Sequence, residues 1–176
     1  MESSLNIVYT GNMAQLQVVS DKICNDLFKY NIWERKTWTY EPVMLNKEMM
    51  PHFLRGFLDG DGSIPRKKNK NIPSSYIIAY CGNPQSMKFI ANYLSSIKIE
   101  TRITTLSFPK YSHEFSDLTI HGATNKYCFL KYIYQNATVY LERKYKRAQN
   151  LISLIENNVT NRAENTRAVE FYHKHF

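Results

Sequence analysis

Cysteine is scarce in this chain: Cys24, Cys81 and Cys128 are the only three among 176 residues. They are odd in number and lack the close pair spacing of a zinc site, so they read as buried or half-buried thiols of a reducing compartment. No apolar run reaches the roughly 18 residues that a membrane-spanning helix needs, so no membrane partner is expected. The N-terminus carries Glu2 and no basic cluster ahead of its first apolar run, which argues against a secretion or transit signal. The expected location is the cytoplasm, or an organellar matrix if the chain is organelle-encoded. Negative charge is also short. Fifteen acidic residues face 23 Lys and Arg, a net charge of +8, which favours a polyanionic partner without identifying it. What the chain does not lack is apolar material. With 43% hydrophobic and 14% aromatic residues, wholesale disorder is excluded and one cored domain, with or without a tail, is expected.

The most informative stretch is Phe53-Leu54-Arg55-Gly56-Phe57-Leu58-Asp59-Gly60-Asp61-Gly62-Ser63-Ile64, an apolar helical run that ends in two carboxylates and enters a strand. Gly56 and Gly60 are four apart, so a helix presents them on one side as a surface bare of side chains, where a second helix can approach. Gly60 and Gly62 are expected to permit the backbone turns that end the helix. Carboxylates at a helix C-terminus are costly unless a cation offsets them, and a divalent metal would do so. A calcium loop of the EF-hand type is excluded, because Ser63 is followed by Ile64, Pro65 and Arg66 rather than by alternating oxygen ligands. The bland alternative is an amphipathic helix with a glycine cap.

Leu54 to Gly62 resembles the nine-residue signature of the LAGLIDADG homing endonucleases; Arg55, in place of a small residue, is the one sharp departure. The resemblance implies an α+β fold of αββαββα type, with an antiparallel β-saddle for DNA. It implies two motif helices packed side by side, each delivering its last aspartate to a Mg²⁺ or similar divalent site, and cleavage of double-stranded DNA. Asp61 is then the catalytic metal ligand, with the Gly60 carbonyl as a second oxygen and Gly56 and Gly60 as the helix interface. A second carboxylate must come from a partner, so a homodimer or a complementary half-protein is expected. Lys126 is the expected phosphate-polarising lysine by motif order. The place where the family often carries a water-positioning Gln falls near Gly82 or Asn83. Asp59 is expected to cap the helix or hold a water. His52, His113 and His121 lack ligand spacing.

Arg66, Lys67, Lys68 and Lys70 follow the motif with no acid among them, as phosphate-binding residues or as a solvated hairpin tip. Strands are expected near Ser74 to Cys81, Thr101 to Phe108 and Phe115 to His121. Helices are expected at about Lys47 to Gly62, Pro84 to Ile97, Thr124 to Tyr134 and Tyr140 to Glu156. Alternation puts Tyr76, Ile78 and Tyr80 on one strand face and Arg102, Thr104 and Leu106 on another. Tyr76, Tyr80, Arg102 and Thr104 are the candidates to face DNA. Tyr140 to Arg147 resembles a basic segment common near the end of a family repeat, and nominates Arg143, Lys144 and Lys146 for phosphate contact.

Ile7-Val8-Tyr9-Thr10-Gly11-Asn12 recurs as Ile78-Ala79-Tyr80-Cys81-Gly82-Asn83. Both copies read as strand, Gly-Asn turn and helix, through Leu16, Val19 and Ile23 in the first. Leu118 to Gly122 is a looser third instance. The expected organisation is a partial repeat over 1–45, a core domain over 46–156 and a tail over 157–176. Three functions stay open: a site-specific endonuclease, a non-cleaving DNA-binding regulator of the same fold, and a maturase-like RNA splicing cofactor.

Overall fold

The structure is a computed structural model that describes residues 4–11, 13–34, 36–65, 73, 76–107, 113–157 and 162–176, with the side chains of 4 and 162–165 excepted. It divides into two compact units, 1–43 and 44–176. The fold is mixed α and β, with antiparallel sheets.

The first unit is a hairpin of β1 (Ser4–Thr10) and β2 (Met13–Val19), followed by α1 (Asp21–Phe28). Gly11, at φ +58, supplies the left-handed backbone of the hairpin turn. Ser20 caps α1, accepting from the Ile23 amide at 3.4 Å. The first sequence repeat is therefore corrected. Leu16 and Val19 lie in a second strand and the helix begins only at Asp21, because 14, 16 and 18 alternate with polar 15 and 17, and alternation outweighs a chance helical spacing.

The second unit runs α2 (Met50–Asp61), β3 (Ile78–Gly82), α3 (Pro84–Ser96), β4 (Thr101–Ser107), β5 (Glu114–Ile120), α4 (Ala123–Tyr134), α5 (Glu142–Asn157) and α6 (Arg162–His175). Its sheet has the order β3-β5-β4, all antiparallel. The strand expected between α2 and β3 is reduced to one bridge, Ser63 to Ala79, among the described residues. Pro51 opens α2 and costs no hydrogen bond there. Met50, Leu54 and Leu58, four apart, line one helix face and are fully buried. Asn83 caps α3 by accepting from the Ser86 amide at 2.8 Å.

One face of the central strand, Ser116, Leu118 and Ile120, is fully buried, and Ile78 and Tyr80 of β3 join it beneath the helices. Edge-to-face rings run from Phe53 through Phe57 and Tyr80 to Phe129. Within the expected tail, Arg162–His175 form α6, which buries Ala168 and Tyr172 against the unit; the Tyr172 hydroxyl donates to the Gln135 side-chain carbonyl. No described helix is long and apolar enough to cross a membrane.

Candidate active site and nucleic-acid face

The motif ends α2 as the spacing predicts, but not by glycine flexibility. Neither Gly60 nor Gly62 adopts positive φ; Gly62 is extended, at φ −86 and ψ 175. It is needed for space: a Cβ there would sit 2.8 Å from the Leu58 carbonyl oxygen and Cα. Gly56 and Gly60 face open space, with nothing within 4 Å of an added Cβ. That bare face borders an open cleft of about 610 Å³ lined by Met49, His52, Gly56, Asp59, Val139 and Leu141.

Arg55 does not obstruct this face. Only 6% exposed, it turns inward, where Nε donates to the Val139 carbonyl at 2.9 Å, Nη1 to the Ile133 carbonyl at 2.6 Å and Nη2 to His52 Nδ1 at 2.6 Å. The guanidinium tolerates this burial because each of its three nitrogens donates to a fixed acceptor. His52 has a structural role as the acceptor.

The two aspartates have different surroundings. Half-buried Asp59 accepts from the Tyr134 hydroxyl at 3.1 Å and from the Leu141 amide at 2.9 Å. It caps the start of α5 rather than its own helix, a favourable place for an anion. Asp61 is exposed, and no described group hydrogen-bonds to its carboxylate. Its place follows from the sheet. The Ser63–Ala79 bridge, at 2.8 and 3.0 Å, ties the chain just past the helix to β3, and the charge of Asp61 is felt at Cys81, two residues further along that strand. Cys81 pairs with Asp117, and Asp117 with Thr104. Partial burial, then the hydrogen bond to Asp117 and the charges of Asp117 and Asp61, push the Cys81 thiol up to about 11, so it stays protonated.

The cation at the end of α2 is Lys144. Its Nζ, in a residue 2% exposed, donates to the carbonyls of Leu58 at 2.5 Å, Asp59 at 2.9 Å and Gly62 at 2.6 Å. All three ammonium protons are used. Burial first, then the charge of Arg143, lowers its pKa from the ordinary value, while Asp59 and Asp61 pull it back up. Lys144 was expected to contact phosphate; it is instead the internal cap of the motif helix, offsetting the negative end of the helix dipole.

Lys126 is corrected in the same way. It is 5% exposed, and its Nζ donates to the Pro73 carbonyl at 3.3 Å and the Tyr76 carbonyl at 2.8 Å; it anchors the backbone ahead of β3. Tyr76 and Tyr80, expected to face DNA, are 2% and 0% exposed. They lie on the sheet face under the helices, and the Tyr80 hydroxyl donates to the Leu54 carbonyl at 3.0 Å.

The opposite face of the sheet is open. It carries Arg102, Thr104 and Leu106 of β4, with Asp117 and Thr119 of β5 beside them. Thr119 donates to the Arg102 carbonyl at 3.3 Å and bonds the His121 ring at 2.8 Å. Arg143 and Lys146 are exposed on α5, Lys146 paired with Glu142 at 3.1 Å. Arg66, Lys67, Lys68 and Lys70 lie outside the described residues. Sequence reasoning missed Arg147, exposed, whose Nη1 reaches the Ile64 carbonyl at 3.4 Å just past the motif. Its four-residue step from Arg143 was the available clue.

For a hard cation the donor types here fit: a carboxylate without a described partner, and backbone carbonyls at the end of a helix. The donor number does not suffice. Among the described residues no group of three or more His, Cys, Asp or Glu is placed to hold a metal.

The family model described as LAGLIDADG-like domain matches residues 48–134. No protein with a curated description matches the chain. Two solved structures of the homing endonuclease I-CvuI are similar. One, in complex with the I-CreI target and 2 mM Mg with the DNA not cleaved, is 15% identical over 72% of this chain and 80% of that one, at a TM-score of 0.43. The other, in complex with its own target and 2 mM Ca, is 13% identical over the same shares, at 0.39. The matched span, residues 48–134, contains the whole motif helix, the three-stranded sheet and α4, and over it this chain is similar to the LAGLIDADG-like domain.

Proposed function

We propose that this chain is a site-specific double-stranded DNA endonuclease of the LAGLIDADG homing type, which hydrolyses phosphodiesters with Mg²⁺ or another divalent cation. The observation that carries this reading is Asp61, exposed at the end of a helix whose bare Gly56 and Gly60 face is open to a second helix. Two Asp61 carboxylates, one from each copy or from a complementary half, would supply the ligands that one chain lacks. When bound, the metal neutralises charge at phosphorus, activates water and stabilises the leaving oxygen. Asp61 and the Gly60 carbonyl would hold it.

The chain's other residues have distinct work. Lys144 positions Asp61 by fixing the carbonyls on either side of it, and has no proton left for a phosphate. Arg147 uses one weak bond of its five donors and is the cation that faces the scissile phosphate. Arg102, Thr104 and Thr119 meet the duplex from the open sheet face, and Arg143 and Lys146 neutralise flanking phosphates. Such an enzyme meets its DNA in the cytoplasm or an organellar matrix.

Binding without cleavage is the second reading. It is favoured by Asn83, which is 3% exposed with its side chain used as the α3 cap, and by Gly82, so neither position offers a free amide to orient water. The test is cleavage of a randomised duplex library with Mg²⁺ by the purified chain and by Asp61→Asn, with mass read by light scattering. Discrete cuts by the unmutated dimer alone are expected, with DNA affinity retained in the variant. Salt-sensitive binding with no cuts from either protein would overturn the cleavage assignment and leave the binding module.

A further inference from the structure

The segment between α4 and α5 is exposed yet tied down along its length. Gln135 accepts from the Tyr172 hydroxyl. Asn136 turns the backbone at φ +62, and the Ala137 amide then donates to the Tyr134 carbonyl at 3.1 Å. Arg55 Nε donates to the Val139 carbonyl, and the Leu141 amide donates to Asp59, each at 2.9 Å. The Tyr140 ring stacks on Tyr145, with centroids 4.0 Å apart. Two charged side chains of the motif helix thus hold the backbone at 139 and 141.

What this scaffolding presents to solvent is apolar. Val139 is 78% exposed, Met49 49% and Leu141 37%, and all three line the cleft beside Gly56. One exposed apolar residue needs no explanation. Three around one cleft, two of them on backbone fixed in advance, are the makings of a docking surface, because little ordering cost is left for the moment of contact. The charges of the cleft point to its occupant. His52, Arg55 and Asp59 are its charge-bearing members, and each is already bonded within the chain. A contact between identical surfaces sets charges near its twofold axis against their own copies. A surface whose charges are engaged internally therefore suits a second copy of this chain.

We propose that Val139 and Leu141 form a shelf that receives a second copy of this chain, so that the segment after α4 joins the two copies alongside the motif helices. This rests on the reading that the Gly56 and Gly60 side takes a second helix. The shelf adds what a bare glycine side cannot. Glycines let two backbones come close but cover little apolar area, whereas Val, Leu and Met side chains gain by leaving water. The cleft, about 610 Å³, has room for side chains of the second copy. Arg55 connects the two parts, since it stands in the motif helix and its side chain fixes Val139. The residue that departs most sharply from the family signature is the one that builds the shelf.

The experiment is a dilution series read by light scattering on the full chain, Val139→Asp, the milder Val139→Ser, Gly56→Leu and Val8→Asp. Val8→Asp makes the same change at an exposed valine that does not line the cleft. Val139 is bonded through its carbonyl, so its side chain can change without freeing Arg55; thermal melts check that each variant folds. The full chain is expected to dimerise. Val139→Asp should raise the dissociation constant by roughly 100-fold and Val139→Ser by roughly 10-fold, since each change enters a twofold contact twice. Val8→Asp should leave it within about 3-fold. Loss of the dimer in Gly56→Leu, with both Val139 variants unaffected, overturns the shelf and leaves the glycine contact standing. Equal weakening by Val139→Asp and Val8→Asp also overturns the shelf. A full chain that stays monomeric at every concentration overturns the shelf and the glycine contact together.

Discussion

At the scale of single residues, charge at the end of α2 is balanced by a side chain from far along the sequence. The Lys144 ammonium gives its three protons to three carbonyls of the motif segment. Replacing it by Met keeps the stem and leaves those acceptors unpaired, since water does not reach the site freely. Lys144→Met is expected to lower unfolding free energy by about 2–4 kcal/mol in a denaturant titration. Lys146→Met, which breaks only an exposed pair with Glu142, should change it by about 0.5 kcal/mol or less. Equal effects from both would refute the capping role. Arg55 illustrates the same physics. A residue that looks foreign to a close helix interface is harmless to it, because its long side chain turns away to carbonyls 78 and 84 positions downstream.

At the scale of elements, α2 has two faces with opposite tolerances. Its C-terminus packs on its own preceding turn, so Gly62→Ala must move Leu58 backbone and displace Asp61; a loss of about 1–3 kcal/mol in stability is expected by calorimetry. Its Gly56 face meets nothing. Gly56→Leu should leave the stability of the single chain within about 1 kcal/mol, helped by the better helix propensity of Leu. It should nevertheless abolish the proposed self-association seen by light scattering. A Gly56→Leu protein that still sheds no mass would rule this face out as the contact. The strands explain why Tyr76 and Tyr80 were assigned to the wrong side. Period-two alternation divides a strand into two faces, but only the helices packed above β3 decide which face is inward. Leu16 and Val19 illustrate the related ambiguity of a short apolar spacing, which fits a helix until a cross-strand partner such as Ile7 is known.

At the scale of the whole molecule, the core is rich in buried phenols and a thiol that hold their protons tightly. Burial is the leading cause for Tyr80, Tyr127, Tyr132 and Tyr134, all raised above their ordinary 10.0, and it pushes the Cys128 thiol from 9.0 up to about 11. A folded-state pKa above the unfolded one means that the unfolded chain releases its proton first. The stability linked to these groups is therefore full below about pH 9 and is lost as pH rises through the folded values. Melting temperature between pH 8 and 11.5 should be level and then fall, starting near pH 9 and steepening above 10; a rise in that window would contradict the burial of these groups.

The sequence by itself determined the elements whose information is local. The motif helix, its bare glycine side and the exposed end at Asp61 follow from residues within one or two turns of each other, and α3 follows from Asn83, Pro84 and the spacing of Met87, Ile90 and Leu94. Long-range partnership was not legible. Whether Lys126 or Lys144 serves the end of α2 depends on which ammonium reaches carbonyls more than 80 positions away, and nothing in the spacing of lysines encodes that. Tertiary structure alone chose the buried side of each strand, turned Arg55 inward and assigned Asp59 to the start of α5. The reason is common to all three: a polar group's role is set by the acceptors and solvent that packing leaves around it, and packing is a property of elements brought together rather than of the order of residues within one.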